Sequence, residues 1–454
     1  MNPRNKNLLF YCFIWLALTF NFKMDIAGSA NAGFFDSFQF DGESLVVGRL
    51  IQSERYGIFS NAGFLGWIEP APAGSNLYWH QYEAYHNPCD YDSYEAYYSQ
   101  SGFQAFIYRL ICLSTGLNGY PALDFLKWLV SFSTAFVFLL FIAWVQRRWG
   151  WATAFFVFVT VCFSQWVTVF GRNLFWVFSA FYLPFVAALW YLQKYEHCMK
   201  HSLRVSFWVM FAGMLLKCLL TGFEFITTTL VMAITPWVFY AVVEQWGWKR
   251  FLQRATVASA GVLTATLTAL TLLAVQLSFI KGSFGEGFRY ILFSFGKRTY
   301  GDADAFDPMF RESLNSNLWD VLTAYWKIHA FNLSHWFDHP LWQSVSKITF
   351  GFCVFLFMAV TLIVFQSKKL RIYPVFRQQQ IALAAMLWVS LSAPLSWFVI
   401  FKGHSYIHTH MNPIVWYMPF MLIGATLTGS MLWFFFKIFR KHATEKTVDS
   451  DTGS

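Results

Sequence analysis

Charged side chains are scarce in this 454-residue chain, in which Asp, Glu, Lys and Arg make up 13% of the residues and hydrophobic residues 57%. A soluble domain carries about 25% charged residues, so the composition excludes an ordinary soluble protein. Apolar runs of about twenty residues, the length that crosses a bilayer, recur throughout the sequence. The sequence therefore predicts an all-α polytopic membrane protein.

The sequence also lacks a cysteine pattern typical of a metal centre or of a disulfide framework. Its seven cysteines show no zinc-type spacing, and most of them lie in or beside apolar runs. We interpret them as small apolar packing residues. The net charge of +9 does not predict a nucleic-acid partner, because the basic residues form short clusters between apolar runs.

The apolar runs predict about ten membrane spans. They are expected at 7–23, 122–145, 151–170, 174–193, 205–220, 222–243, 255–280, 346–366, 381–401 and 411–436. Basic clusters occur in every second connection, such as Arg147 and Arg148 after the second span and Lys249 and Arg250 after the sixth. Because such clusters mark the cytoplasmic side, we predict a multi-pass protein of the plasma (inner) membrane with both termini in the cytoplasm.

This topology divides the chain into six parts with two long extracytoplasmic loops. They are an anchor at 1–23, a first outer loop at 24–121, a transmembrane bundle at 122–280, a second outer loop at 281–345, C-terminal spans at 346–436 and a cytoplasmic tail at 437–454. The N-terminus also fits a signal sequence cleaved near the small residues at 30–33. Either interpretation sends residue 24 onward to the outside.

Three acidic residues follow the first span closely, namely Asp36, Asp41 and Glu43. A carboxylate at the membrane surface suits a general base that takes a proton from an attacking hydroxyl. Asp41 is the first candidate and Asp36 the second. The "DGES" motif also fits the start of a helix, where acids cap free N–H groups. The acidic, tyrosine-rich stretch that follows at 79–106 fits either sugar binding or an interfacial aromatic belt.

Several charged groups fall in the predicted outer turns, where membrane depth makes an unpaired charge costly. Together they predict a site that neutralises a phosphate or pyrophosphate, for which arginine and lysine are suited. Lys217 and Glu224 alternatively form a simple ion pair. The candidates are Arg172, Lys217, Glu224, Arg298 and Lys402.

Three histidines in the segment "KGHSYIHTHMNP" complete the candidate set, namely His404, His408 and His410. On a helix, His404 and His408 would share a face that can chelate a divalent metal, although Pro413 argues against a regular helix. The alternatives are hydrogen bonds to phosphate beside Lys402, or bonds to helix-end carbonyls and water. No cofactor is required by these patterns, and a divalent metal stays open.

The layout of one span, a long outer loop with an early aspartate and a many-span bundle resembles the GT-C superfamily. These integral-membrane glycosyltransferases use polyprenyl- or dolichyl-phosphate-linked sugars. The resemblance rests on "FDSFQFDGES" and on the outer turns "GRN", "KCLLTGFE" and "KGHSYIHTH". Many members have adjacent acidic residues in the first outer loop, whereas Gly42 separates Asp41 from Glu43 here.

The resemblance implies a reaction and its partners. A sugar would pass with inversion from a polyprenyl-phosphate-linked donor to an extracytoplasmic glycan, lipid or protein acceptor, beside membrane lipids and without a required metal. Asp41 would deprotonate the acceptor. Arg298, Lys402 and His404 would stabilise the charge on the phosphate leaving group.

Three other functions are compatible with a polytopic chain. A transporter or flippase of lipid-linked sugars predicts charges at the midplane of spans, where this sequence has few. A membrane acyltransferase predicts a funnel from the bilayer that ends at His404 or His408 as the base. A structural scaffold agrees least with the density of polar residues in the outer loops.

Overall fold

The structure is a computed structural model that describes residues 3–30, 32–69, 76–195 and 202–451. Helices dominate these residues. The α-helices are α1 (Pro3–Met24), α2 (Ala32–Tyr56), α3 (Leu77–His86), α4 (Phe103–Thr115), α5 (Gly119–Trp149), α6 (Trp151–Cys162), α7 (Gln165–Phe170), α8 (Ser179–Lys194), α9 (Leu203–Thr221), α10 (Ile226–Val243), α11 (Trp248–Lys281), α12 (Phe284–Arg298), α13 (Arg311–Asn315), α14 (Leu318–Lys327), α15 (Pro340–Val345), α16 (Phe350–Gln366), α17 (Lys368–Arg371), α18 (Pro374–Ser390), α19 (Ser392–Ile400), α20 (Lys402–Ile407) and α21 (Phe420–Asp451).

Within the described residues, seven helical segments are long and apolar enough to cross a membrane. This confirms the prediction of a helical membrane protein. The segments are Asn7–Met24, Gly119–Trp149, Leu203–Thr221, Ile226–Val243, Trp248–Lys281, Pro374–Ile400 and Phe420–Arg440.

The other three predicted spans are interrupted or shorter, and the count of ten stays a prediction. The run at 151–170 breaks into α6 and α7 around Phe163 and Ser164, and the run at 174–193 becomes helical only from Ser179. The run at 346–366 is the 17-residue helix α16, which covers about 25 Å at about 1.5 Å per residue. A bilayer core is about 30 Å thick, so a helix of this length crosses it only where the bilayer is thinner.

Helix ends follow the capping chemistry of their sequence. The Ser202 hydroxyl accepts the Val205 N–H at the start of α9, and the Thr349 hydroxyl accepts the Phe352 N–H at the start of α16. Both bonds satisfy an N–H group that the first helical turn leaves open. At its C-terminus, α4 stops at Gly116, whose φ of +70° favours glycine.

Two short antiparallel sheets interrupt the helices in the two long connections. Strands β1 (Leu65–Glu69) and β2 (Ser93–Tyr97) pair in one sheet, and β3 (His329–Asn332) and β4 (Lys347–Thr349) in the other. The strands have only three to five residues, too few for a clear period-two pattern.

The first sheet packs closely against one side of α2. This contact determines which side of the helix faces away from the sheet. A Cβ atom on Gly48 of α2 would lie 2.2 Å from the carbonyl oxygen of Gly66 in β1, so only glycine permits this approach. The ion pair between Glu54 and Arg109, 2.6 Å apart, adds a contact between α2 and α4.

Candidate functional site

A polar cavity of about 270 Å³ lies where five connections between the long helices meet. These connections are 25–118, 171–178, 222–225, 282–349 and 401–419. The charged and imidazole side chains in its wall are Asp41, Glu224, Lys297, Arg298, His404 and His408. Five of these six residues are site candidates predicted from the sequence, and Lys297 is the sixth.

Asp41 lies in the middle of α2 and lines the cavity. The interpretation of "DGES" as a helix start is wrong, because α2 begins nine residues earlier, at Ala32. A Cβ atom on Gly42 would lie 2.9 Å from the ring of Phe175, so the glycine lets α2 approach this wall of the cavity. Burial raises the pKa of Asp41, His410 opposes this, and Glu224 adds to it.

Glu43 faces the opposite side of α2, since two helical residues differ by about 200° around the axis. Its side chain is fully buried and forms an ion pair with Lys127 of α5, with 2.8 Å between Oε1 and Nζ. The Tyr82 hydroxyl donates to Oε1 and the Leu174 N–H donates to Oε2, each at 3.1 Å. These contacts give Glu43 a structural role away from the cavity. The side chain of Asp36, the second base candidate, lies outside the described residues.

Arg298 is the last residue of α12 and carries a fixed positive charge into the cavity. One of its Nη2 hydrogens points to the Tyr97 hydroxyl and another to the Ser99 hydroxyl, both at 3.0 Å. Burial acts to lower the pKa of Arg298, but Tyr97 and Glu224 more than offset this and raise it. The guanidinium therefore stays charged and oriented, as binding of a phosphate group requires.

Glu224 reaches the cavity because Lys217 holds the turn that carries it. The Lys217 ammonium group is fully buried and donates to the carbonyl oxygens of Gly222, at 2.9 Å, and of Glu224, at 2.6 Å. Lys217 thus contacts the main chain of Glu224, and the carboxylate lies 4.0 Å from His404 Nε2. Gly222 has a φ of +60°, and a Cβ there would lie 2.4 Å from the Cβ of Gln100.

The histidine segment is partly helical, so the expectation of an irregular turn is wrong for α20. His404 is buried on this helix, and its Nδ1 lies 3.3 Å from the Asn412 amide nitrogen. The rings of His404 and His408 are 4.4 Å apart. Burial lowers the pKa of His404 well below its usual range and that of His408 to about 2, so both imidazoles are neutral at pH 7.

One group of three side chains offers metal-ligand chemistry among the described residues. Asp41, His408 and His410 each present one ligand atom, and these atoms all lie within 4.8 Å of one another. The group joins His408 to Asp41 and His410, whereas the metal alternative considered from the sequence was a pair of His404 and His408.

Lys217 and His410 are not in the cavity wall that the described residues form, and two further predicted phosphate ligands, Lys402 and Arg172, also lie outside it. The Lys402 ammonium group donates to the carbonyl oxygens of Leu314, at 2.6 Å, and Ser316, at 2.8 Å. Arg172 donates to the carbonyl oxygen of Lys23 at 2.7 Å. In the structure, these contacts hold connections of the fold in place.

An apolar cavity of about 170 Å³ adjoins the polar one and shares Glu224 and Arg298 with it. Its other walls are mostly apolar, and many of the residues come from the long helix α11, from α12 and from the end of α19, among them Leu270, Leu273, Ile291, Trp397 and Phe401. The Arg298 guanidinium thus stands between a polar and an apolar compartment. This arrangement suits a molecule with a charged head and a hydrocarbon tail.

Sequence reasoning missed four aromatic residues of the polar cavity, namely Trp67, Phe175, Trp176 and Phe310. Phe175 and Trp176 were assigned to a membrane span, but they form a turn in which the Asn173 side chain accepts both of their N–H groups. The asparagine was the only local sign of this turn. Trp176 Nε1 is buried and has no hydrogen-bond partner among the described residues, so it can donate to a ligand.

Comparisons of this chain with protein-family models, with curated proteins and with solved structures gave no match.

Proposed function

We propose that this protein is an integral-membrane glycosyltransferase that uses a polyprenyl-phosphate-linked sugar as its donor. The acceptor is a glycan, lipid or protein outside the cytoplasm. One observation carries the proposal: Asp41 and Arg298, from distant parts of the sequence, line one polar cavity, and Arg298 also borders an apolar cavity. The site thereby combines the carboxyl group of Asp41, the fixed charge of Arg298 and an apolar cavity for a lipid tail.

The donor binds across the two compartments. Its first isoprene units occupy the apolar cavity beside Leu270 and Ile291, where burial of hydrocarbon is favourable. Its phosphate lies against the Arg298 guanidinium, and Lys297 supplies a second positive charge in the same wall. The sugar then extends into the polar cavity toward Asp41.

Transfer proceeds by direct displacement at the anomeric carbon. The acceptor oxygen forms a bond to this carbon, the bond from the carbon to the phosphate oxygen breaks, and the acceptor proton passes to Asp41. The raised pKa of Asp41 makes it a stronger base than an exposed aspartate. Arg298 and Lys297 stabilise the charge that develops on the phosphate, and this leaving group needs no general acid.

The position of Arg298 also gives less support to an acyltransferase. That hypothesis requires a histidine at the inner end of the apolar funnel. Among the described residues, the charged groups in the wall of the apolar cavity are instead Arg298, which can bind an anion, and Glu224, which offsets part of the arginine charge. A flippase would also contain interrupted helices. Such interruptions lie between α6 and α7 and between α18 and α19.

Binding of farnesyl phosphate to the purified protein in detergent tests the proposal. Replacement Arg298→Gln removes the charge at the junction of the cavities and is expected to raise the Kd at least about tenfold, since hydrogen bonds to charged groups contribute about 1.5–3 kcal/mol. Arg289→Gln is the matched control, because Arg289 lies on the same helix, is exposed and pairs with Glu286. Equal affinity of the two variants would contradict the proposed donor site.

A further inference from the structure

We propose that Asp41, His408 and His410 bind a divalent cation at the rim of the polar cavity. Their ligand atoms lie within 4.8 Å of one another, although Asp41 is separated from the two histidines by more than 360 positions in the sequence. No other group of three such side chains in the described part of the chain meets this distance criterion. The proposal concerns these residues and not the pair of His404 and His408.

The donor set fits a transition-metal ion. Two imidazoles and one carboxylate are ligands that suit Zn²⁺, and three protein ligands leave at least one position open for a substrate oxygen.

The local structure brings the ligand atoms together without forming a closed metal centre. Helix α20 ends at Ile407, so His408 and His410 lie in the turn that follows, with their rings 5.5 Å apart. Zn–N bonds of about 2.0–2.1 Å place tetrahedral ligand atoms about 3.3 Å apart. The three ligand atoms, which lie within 4.8 Å of one another, are therefore within about 1.5 Å of this spacing.

His408 provides a second observation that points to a ligand. Its Nδ1 atom is buried and has no hydrogen-bond partner among the described residues. A buried ring nitrogen without a partner loses its hydrogen bond to water on folding. A cation that binds the imidazole at Nδ1 would compensate for this loss directly. If the cation binds at Nε2 instead, a water molecule would have to bond to Nδ1.

The catalytic meaning of this cation rests on the proposed function. A carboxylate that coordinates through one oxygen keeps its second oxygen available for the acceptor proton. A cation at an open coordination position also lowers the pKa of a bound hydroxyl group. Asp41 and the cation would then prepare the acceptor, while Arg298 holds the phosphate of the donor. Binding of the cation itself requires neither lipid nor sugar.

Equilibrium dialysis with Zn²⁺ alone tests the site on the full-length protein in detergent, purified without a polyhistidine tag. We expect one Zn²⁺ per chain whose Kd rises at least about tenfold in His410→Ala, as loss of even an outer partner of a metal ligand costs about 10–100-fold. His339→Ala is the control, because His339 is an exposed histidine that precedes α15 in the second long connection. Unchanged affinity in His410→Ala would overturn the proposal.

Asp41→Asn provides an independent variant that keeps the shape of the side chain. It should weaken Zn²⁺ binding as His410→Ala does, and Zn²⁺ binding equal to that of the unmodified protein would overturn the role of Asp41 as a ligand. Farnesyl phosphate binding, measured in the same preparations, separates the two proposals. If the protein binds the lipid but not Zn²⁺, the cation site is rejected and the donor site is not. If it binds Zn²⁺ but not the lipid, the cation site is supported and the donor site is rejected.

Discussion

The buried ion pair between Glu43 and Lys127 gives the sharpest stability prediction. Glu43 is completely excluded from solvent, and its carboxylate contacts the Lys127 ammonium group at 2.8 Å. Replacement Lys127→Met leaves this carboxylate buried with two neutral donors, Tyr82 and Leu174. Removal of one partner of a buried pair costs about 3–5 kcal/mol, and we expect the free energy of unfolding to fall by that amount.

The surface pair between Lys23 and Asp124 is the matched control. It joins α1 to α5 at 2.6 Å, but Asp124 is 60% exposed. Exposed pairs contribute about 0–1 kcal/mol, so Lys23→Met should lower the free energy of unfolding by no more than that. Titration of both variants with a denaturing detergent, followed by tryptophan fluorescence, measures the two losses.

A double variant, Glu43→Gln with Lys127→Met, shows whether the stability lost in Lys127→Met comes from the uncompensated carboxylate or from lost packing. Because both charges are then absent, most of the stability lost in Lys127→Met should return. Equal small losses in Lys127→Met and Lys23→Met would refute the structural role of Glu43. So would a Glu43→Gln variant that folds normally yet abolishes glycan transfer, because Glu43 would then act in catalysis.

Three further predictions follow from other parts of the fold. In intact cells, a membrane-impermeant maleimide should label Cys89, which is exposed in the first long connection; labelling only after permeabilisation would reverse the predicted topology. Lys217→Met should lower the free energy of unfolding by about 2–3 kcal/mol, since two carbonyl oxygens lose a charged donor. Replacement of the exposed Lys281 by Met should change this free energy little, and equal losses would contradict the anchoring role of Lys217. Trp176→Phe should keep the stability of the fold but weaken acceptor or donor binding, and unchanged steady-state transfer kinetics would exclude a ligand contact at Nε1.

The membrane helices were the most predictable part of the fold. Length, hydropathy and basic clusters are properties of one segment, and seven of the ten predicted segments have the length and composition of a span. The run at 174–193 misled because Phe175 and Trp176 are as apolar as lipid-facing residues. Only their tertiary contacts, such as that of Phe175 with Gly42, place them in a cavity wall.

The candidate site was predictable by residue type but not by side-chain direction. Charge in an apolar chain singled out Asp41, Glu224 and Arg298, which share one cavity. Glu43 met the same criterion, but only its tertiary contacts with Lys127 and Tyr82 show that it points away from the cavity. Lys402 is bound by carbonyl groups more than 80 residues earlier, a partnership that spacing along the sequence does not reveal.

The surface glycans of the native cells test the central claim most directly. Strains that carry Asp41→Asn, the control Asp90→Asn or a deletion of the protein would be compared by compositional analysis of these glycans. Asp90 is an exposed carboxylate of the same long connection, paired with Arg55. The account predicts that Asp41→Asn and the deletion lose the same sugar while Asp90→Asn retains it. A normal glycan in Asp41→Asn cells that contain the protein in normal amount would contradict the account.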